Sequence, residues 1–571
     1  MKRAVRIIAL GIGMVMLMSS FLSCRNDSSA SADTVNWAET ADLPHTTEAV
    51  SSSEGEGYLF EIVYPSVTAS SLQFTLTDKK LEEYNGKMQE AERLFYQNEP
   101  GSEDVFRHAL YELLSRMAEM ETQRDIAYMQ YCYDMSNSSA WDNYLYAYDL
   151  HDRAHDGFWA LYNESKAQNG TLSTVFREVV QKEYGGNLVT VTPEADSYAY
   201  QMETLEGEYN SLKNSGASDE KIFAVYRKYL LAAYRFAKAS STANYYEYAS
   251  RHRFFRNDTS AERELFRQYV KEYLVPICQE LGAQSEAYDN RLSYAEYTLS
   301  NRYLKGKYDS FRENYLLDYF SSLPKSAGRA MADAFEKDRI LIGNKRNSYD
   351  TAMVYSVGRT PICYFHEDRT TLETMTHELG HYYASVAGDS AYTSFSLRET
   401  HSSANTQLFF RYLSDKLNNK AIKGAELYML YSNTYQLISS VIRDEFDEII
   451  YTRNPSTLTL AEFERIMSDL IEEYGVRKIS SSMVNQLMTY WCRLGIQYPM
   501  SNYCYAVAEV AALQIYIKSK SDYAAAVEMY RCIVEEIDAE GDFVATITKA
   551  GLTTPYQEQT YLELQRLKTP S

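Results

Sequence analysis

Glycine and proline are scarce, at 24 and 11 residues in a chain of 571. That is about half their average combined usage. So few turn formers argue against a hairpin-rich β architecture and for long helices. Positive charge is short as well: 57 Lys and Arg face 78 Asp and Glu, for a formal net charge of −21. Phosphate backbones need a basic face, so no nucleic-acid partner is expected and direct docking onto anionic lipid is discouraged. The seven cysteines include no CxxC pair. Apart from Cys24 they are scattered (Cys132, Cys278, Cys363, Cys492, Cys504, Cys532), as free buried thiols are, and suggest neither a disulfide framework nor a cysteine-ligated metal. No repeat at a fixed period is present, which sets a solenoid aside. Beyond the first 24 residues no stretch is long and apolar enough to span a membrane.

The first 24 residues are a different material. "MKRAVR" is a basic n-region, "IIALGIGMVMLMSSFL" an apolar h-region, and "SC" follows. This pattern reads as an export signal. "FLSC" is similar to a bacterial lipobox, whose cysteine becomes the lipidated first residue, although Phe21 replaces the usual leucine. The expectation is an exported protein, lipid-anchored through Cys24 at the extracytoplasmic face of a bacterial membrane. Residues 25–57, with "RNDSSASADT" and "SSSEGEG", read as a flexible polar tether.

Helical periodicity dominates the rest. "DKKLEEYNGKMQEAERLFYQ" and "DVFRHALYELLSRMAEMETQRDIAYMQYCY" carry apolar residues at intervals of three and four, broken by "NEPGSED". A second helical block runs from about 195 to 338, and "NGTLS" and "PEADS" are expected to be loops. Within 349–371 two short β-branched and aromatic runs, "AMVYSV" and "PICYF", flank Gly358 and predict a small ribbon or sheet. The 52 tyrosines suit helix packing in which each ring is buried and each hydroxyl keeps a polar partner. The expected layout is signal (1–24), tether (25–57), N-terminal helical region (58–195) and a second helical region (196–571).

The chemistry concentrates in "TLETMTHELGHYYASVAG". Thr370 and Glu373 have the spacing of a capping box, and Gly388 is a candidate stop. On the helix between them His377 and His381 project from one face about 6 Å apart, the spacing two imidazoles need to share a zinc ion. Glu378 borders that face and can take a proton from a water acidified by zinc. HExxH arises by chance in about one chain of this length in a hundred. Gly380 lies mid-helix, where it costs roughly 1 kcal/mol against alanine, so close approach of another element is expected there.

For the third ligand, a metzincin would continue as HExxHxxGxxH, but Ala384 and Ala387 hold the later positions, and that class is excluded. "TSFSLRETHSSANTQLFFRYLSDKL" predicts a second helix, with Ser394 or Ser396 as cap. It carries two candidates, Glu399 and His401. Two residues apart on a helix they face different ways, so only one should meet the metal. Glu399 is preferred because it completes a His₂Glu set. It could instead serve as the acid of a capping box with Ser396.

At this point the residues resemble a family. "HELGH", Glu399 with Ser402 three beyond it, and the upstream "GNKRNSYDT…TPICYF…TMTHELGH" look like oligoendopeptidase F and its thimet-oligopeptidase relatives. "WCRLGIQYPMSNYCYAVAEVAALQIY" resembles their tyrosine-rich substrate segment. The resemblance is strongest over 343–412 and 491–516 and extends loosely over 200–565. It implies a mainly α, zinc-dependent peptidase with one ion and a deep channel that admits oligopeptides, and a small sheet beside the HExxH helix. It implies further that Tyr505 and Tyr498 donate hydrogen bonds to the tetrahedral intermediate, and that the "PICYF" strand pairs with substrate backbone along an exposed edge.

Three positions depart from the family pattern. Ala384 and Gln497 stand where histidines are usual, and Asn502 where some members have tyrosine. The expected activity is hydrolysis of internal bonds in oligopeptides. The alternative is a peptide-binding lipoprotein that keeps the fold with weakened turnover.

Overall fold

A computed structural model describes residues 60–168, 170–184, 192–214, 216–304, 312–349, 352–387, 393–475, 481–538 and 541–568. The signal, Cys24, the tether and the Gly388 stop lie outside the described residues. The protein is mainly helical, with one three-stranded sheet among the described residues. It divides into two units, one built from residues 189–328 and 371–571 and the other from 42–188 and 329–370. Here they are called the motif unit and the sheet unit.

In the sheet unit the two periodic segments form the helices Asp78–Gln97 and Glu103–Tyr133. "NEPGSED" breaks them through Asn98 and Gly101, both with left-handed backbone (φ 43° and 83°). Two further helices, Ser138–Lys166 and Thr171–Tyr184, complete the bundle. Its core includes Phe106, Leu110, Phe158 and Phe176. The strands are β1 (Ile340–Gly343), β2 (Met353–Val357) and β3 (Thr360–His366). β2 and β3 form the expected hairpin, turned by Gly358 (φ 59°) and Arg359. Gly358 N–H donates to the buried Asp125 carboxylate at 3.0 Å, and a Cβ on Gly358 would lie 2.5 Å from Thr122 Oγ1.

The sheet corrects one expectation. Its order is β1-β3-β2, so the "PICYF" strand is central, paired on one side in parallel and on the other antiparallel. Cys363 and Tyr364 are paired on both sides, so over those residues the strand is interior and not the exposed edge a peptide would join.

In the motif unit, "PEADS" also departs from expectation. It opens the helix Pro193–Asn214, with Pro193 at the first position and Thr192 Oγ1 accepting from Ala195 N–H at 3.1 Å. Proline fits there because its missing N–H would have no partner in the first turn. "NGTLS" likewise contributes the start of a helix at Thr171 in the sheet unit. The helix Ser501–Ser521 is buried nearly all round, packed by Phe395–Leu417, Lys420–Tyr451 and Tyr523–Glu535. Many tyrosines are buried, as Tyr246 and Tyr516 are, donating to Asp444 and Glu426 at 2.8 Å each, but Tyr200 and Tyr294 are 71% and 87% exposed. Five of the six thiols beyond Cys24 are buried, Cys532 is half-buried, and none of the six is in a disulfide.

The motif helix is Leu372–Ala387. Its cap is Thr371, whose hydroxyl accepts from Thr374 N–H at 3.0 Å, whereas Thr370 Oγ1 accepts from His366 N–H at 2.7 Å and closes the turn after β3. The cap expected at Thr370 is therefore one residue later, at Thr371. The partner helix, Phe395–Leu417, lies directly against the motif helix at Gly380. A Cβ on Gly380 would stand 2.7 Å from both His401 O and Ser402 Cα. Asn405 spans the two helices, donating to Thr376 O at 2.6 Å while Tyr319 OH donates to Asn405 Oδ1 at 2.8 Å. Gly380→Ala puts a methyl against backbone that cannot rotate away. It is expected to destabilise the unit by about 1–3 kcal/mol. A Tm equal to wild type by calorimetry would contradict this packing.

Candidate metal centre

His377 and His381 follow one another by one helical turn, with ring centroids 4.9 Å apart and planes at 86°. Glu399 is the fifth residue of the partner helix, and its side chain is 1% exposed. Its Oε2 lies 3.7 Å from His377 Nε2 and 3.9 Å from His381 Nε2. The ligand atoms of the three residues all fall within 4.8 Å of one another, the one such group among the described residues.

These distances can be tested against a metal. Donors about 2.1 Å from a tetrahedral ion stand roughly 3.4 Å apart. The carboxylate–imidazole separations need only a few tenths of an ångström of closure. Burial also favours the ligand form of the imidazole, pushing His377 down to about 3, so the ring is neutral at physiological pH. The donor set therefore fits a divalent ion with one coordination position left open.

The structure separates Glu399 from its rival. His401 is fully buried but belongs to no such group, and its backbone carbonyl is what faces Gly380. Nor is Glu399 the acid of a capping box with Ser396: the N-cap is Ser394, Ser396 lies inside the helix, and the Glu399 carboxylate points at the two histidines. Ser402 Oγ donates to Glu399 O at 3.0 Å, bracing the turn that presents it. Glu378 is fully buried. Ala384, one turn beyond Gly380, is also buried.

Tyr498 and Tyr505 are both half-buried and line one cleft of the motif unit, about 1260 Å3 including its open mouth. Tyr505 meets Phe395 edge to face at 5.5 Å, and Phe395 lies one turn before Glu399. The cleft and the three-donor group thus share a helix. The side chain of Gln497 lies outside the described residues, and Asn502 lines the cleft.

Sequence reasoning missed Glu509, which lies one turn beyond Tyr505 and lines the same cleft. It is 3% exposed, and burial raises its carboxyl to about 8. Gln407 Nε2 donates to it from the helix that carries Glu399. The signal was present: Glu509 is the one charged residue in the mostly apolar run "AVAEVAALQIY". Glu373, whose spacing from Thr370 reads as that of a capping acid, lies one turn before His377, and burial raises it to about 7.

No family model matches the sequence, and no curated protein does. Solved structures do. PZ peptidase A, solved with an inhibitor, aligns at a TM-score of 0.63 and 15% identity, over 88% of this chain and 98% of its own. A chain assigned as oligoendopeptidase F from Bacillus anthracis str. Ames aligns at 0.63 and 14% identity, over 87% and 97%. A chain assigned as a peptidase from Chlamydophila abortus aligns at 0.56 and 15%, over 88% and 99%. At such identities the likeness is one of architecture, and the chain has the fold of the PZ peptidase and oligoendopeptidase F structures over nearly their full length.

Proposed function

We propose that this chain is a zinc-dependent endopeptidase of oligopeptides, exported and held at the extracytoplasmic face of a bacterial membrane by a lipid on Cys24. The observation that carries the enzymatic reading is the His377–His381–Glu399 group, whose donors converge within 4.8 Å on two helices of a peptidase-like fold. Those three residues would hold the ion. Zinc bound there would supply a Lewis acid for the scissile carbonyl and acidify a water.

The chain's own residues supply the rest. Glu378, adjacent to His377 and fully buried, takes the proton from the attacking water. In a site closed to bulk solvent that carboxylate keeps the proton until the departing amine needs it. Tyr505 and Tyr498 offer hydroxyls from the cleft wall to the oxygen on which charge develops, and each such donor can contribute about a hundredfold or more in rate. The anchoring proposal rests on the sequence of residues 1–24 alone.

A mass-spectrometric digest of an oligopeptide mixture, with and without chelator, tests the activity. Cleavage at internal bonds that chelation stops is expected, and release of terminal residues only would overturn the endopeptidase reading. Glu378→Gln should keep fold and metal and lose nearly all hydrolysis, since it removes the base and keeps the shape. Turnover within about tenfold of wild type would remove Glu378 from the mechanism.

Glu399→Ala should sharply reduce metal content measured by elemental analysis, and His401→Ala should leave it near wild type. The reverse ranking would hand the ligand role to His401. Cys24→Ala is expected to release the protein from the membrane fraction or to block its processing. Unchanged membrane association would point to an uncleaved helix in place of a lipid.

A further inference from the structure

One turn beyond Tyr505 the motif unit gathers three buried acceptor oxygens. Glu509 Oε2, Asn433 Oδ1 and Gln407 Oε1 have no hydrogen-bond partner among the described residues. Their residues are 3%, 2% and 0% exposed. The three meet at one carboxyl: Gln407 Nε2 donates to Glu509 Oε1, and Asn433 and Ser403 stand within hydrogen-bonding reach of it. Glu509 and Asn433 also line the cleft that holds Tyr498 and Tyr505. We propose that this cluster is a receptor for a primary ammonium group on the substrate, supplied by a peptide amino terminus or a lysine side chain. The proposal goes beyond the peptidase reading and rests on it only in calling the ligand a substrate.

Counting donors selects this occupant. A buried acceptor without a donor is costly, and three at one point call for a shared one. A proton on Glu509 serves Oε2 and one amide oxygen and leaves the other amide oxygen without a donor. A water brings two donors. An alkylammonium brings three N–H donors and no acceptor, matching the three oxygens one for one. A divalent metal is poorly matched, since only one of the three groups can carry negative charge. The charges agree. Burial raises the Glu509 carboxyl to about 8, with Glu373 adding to the rise, so the free carboxyl holds a proton at neutral pH. An arriving ammonium replaces that proton, which leaves to solvent, and the site stays neutral while its new hydrogen bonds are charge-assisted. Arg443, the cation already in the cleft, is ten residues from Asn433 along one helix, about 15 Å. It is paired with Asp447 at 2.6 Å.

Distance from the metal centre says where on a peptide the ammonium belongs. Gln407 follows Glu399 by eight residues on the helix Phe395–Leu417, about 12 Å along its axis. An extended peptide spans that length in about three or four residues. The ammonium would therefore lie that far along the chain from a carbonyl at the three-donor group.

The probe is n-butylammonium, with n-butanol as its uncharged counterpart, titrated by calorimetry into the metal-loaded full chain. Butylammonium should bind about tenfold or more tightly than butanol, because only it carries the counter-charge. At neutral pH it should release about one proton, read from the difference in heat between two buffers. Glu509→Gln should weaken binding about tenfold or more and abolish the proton release. Asn433→Leu is the second variant, should Glu509→Gln fail to fold, and should weaken binding about threefold or more through the lost acceptor.

Peptides then separate the two sources. In one arm the amino terminus of an oligopeptide is acetylated. In the other a lysine about three or four residues from the cleaved bond is replaced by norleucine. Loss of about tenfold in kcat/KM in wild type, absent in Glu509→Gln, assigns the amino terminus in the first arm and the lysine side chain in the second. Amine binding with no peptide cleaved would keep the receptor and sink the peptidase reading. Equal binding of the two probes, binding unchanged in both variants, or cleavage indifferent to both peptide changes would overturn the proposal.

Discussion

The site depends on the absence of one side chain. At Gly380 the motif helix and the helix Phe395–Leu417 approach until a Cβ would lie 2.7 Å from the neighbouring backbone. Only that separation lets a short glutamate on the second helix meet two imidazoles on the first at 3.7 and 3.9 Å. His377, Gly380, His381 and Ala384 fall at helical spacings of three and four, on one face. Two of these positions are small and two carry the imidazoles, so the feature that permits close packing also aims the donors. Asn405 fixes the slide of one helix along the other by holding Thr376 O, and Tyr319 fixes Asn405. A loosened contact would leave all three donors intact and separate them.

Burying such donors has to be supported around them, and the motif unit does this with polar groups that are paired in turn. Arg256, Arg263 and Arg267 converge on Asp258, Asp444 and Glu448, most of them buried. Breaking any one pair would strand a buried charge, which is far costlier than losing an exposed ion pair. A related arrangement sets the turn that carries Tyr498. Asp447 accepts from Arg443 at 2.6 Å and from Met500 N–H at 3.2 Å, where Met500 is held in left-handed backbone at φ 66°. A residue with a Cβ pays roughly 1–2 kcal/mol to stay in that conformation, so the contacts around the turn must outweigh it. The outcome is that Tyr498 and Tyr505, seven residues apart across a helix start, line the same cleft.

What could be read in the sequence was what local geometry decides. The motif helix, the long helices of the sheet unit and the Gly358 hairpin all follow from periodicity and turn chemistry over at most 31 residues. Gly380 was legible too, because a glycine inside a helix demands a reason. The misses are non-local. β1 is four residues long and pairs in parallel with residues more than twenty positions later, so nothing in "ILIG" announces it. That unseen strand also makes β3 central, which is why the edge expected of "PICYF" is not there. The capping shift from Thr370 to Thr371 is small in sequence, but it turns on which hydroxyl the end of β3 has already engaged.

Glu509 shows a different limit, that of periodicity itself. The helix Ser501–Ser521 is buried nearly all round, so no apolar stripe marks which of its faces looks at the site. In such a helix the informative residue is the polar one, since a buried carboxyl needs partners wherever it points. Glu509 finds Gln407, two turns beyond Glu399 on the neighbouring helix, and lies one turn from Tyr505. The proton that burial keeps on Glu509 removes a charge from the cleft wall, and the Arg443–Asp447 pair cancels the other. Polar residues needed to hold the helices together thus also line the cleft beside the helix that carries Glu399.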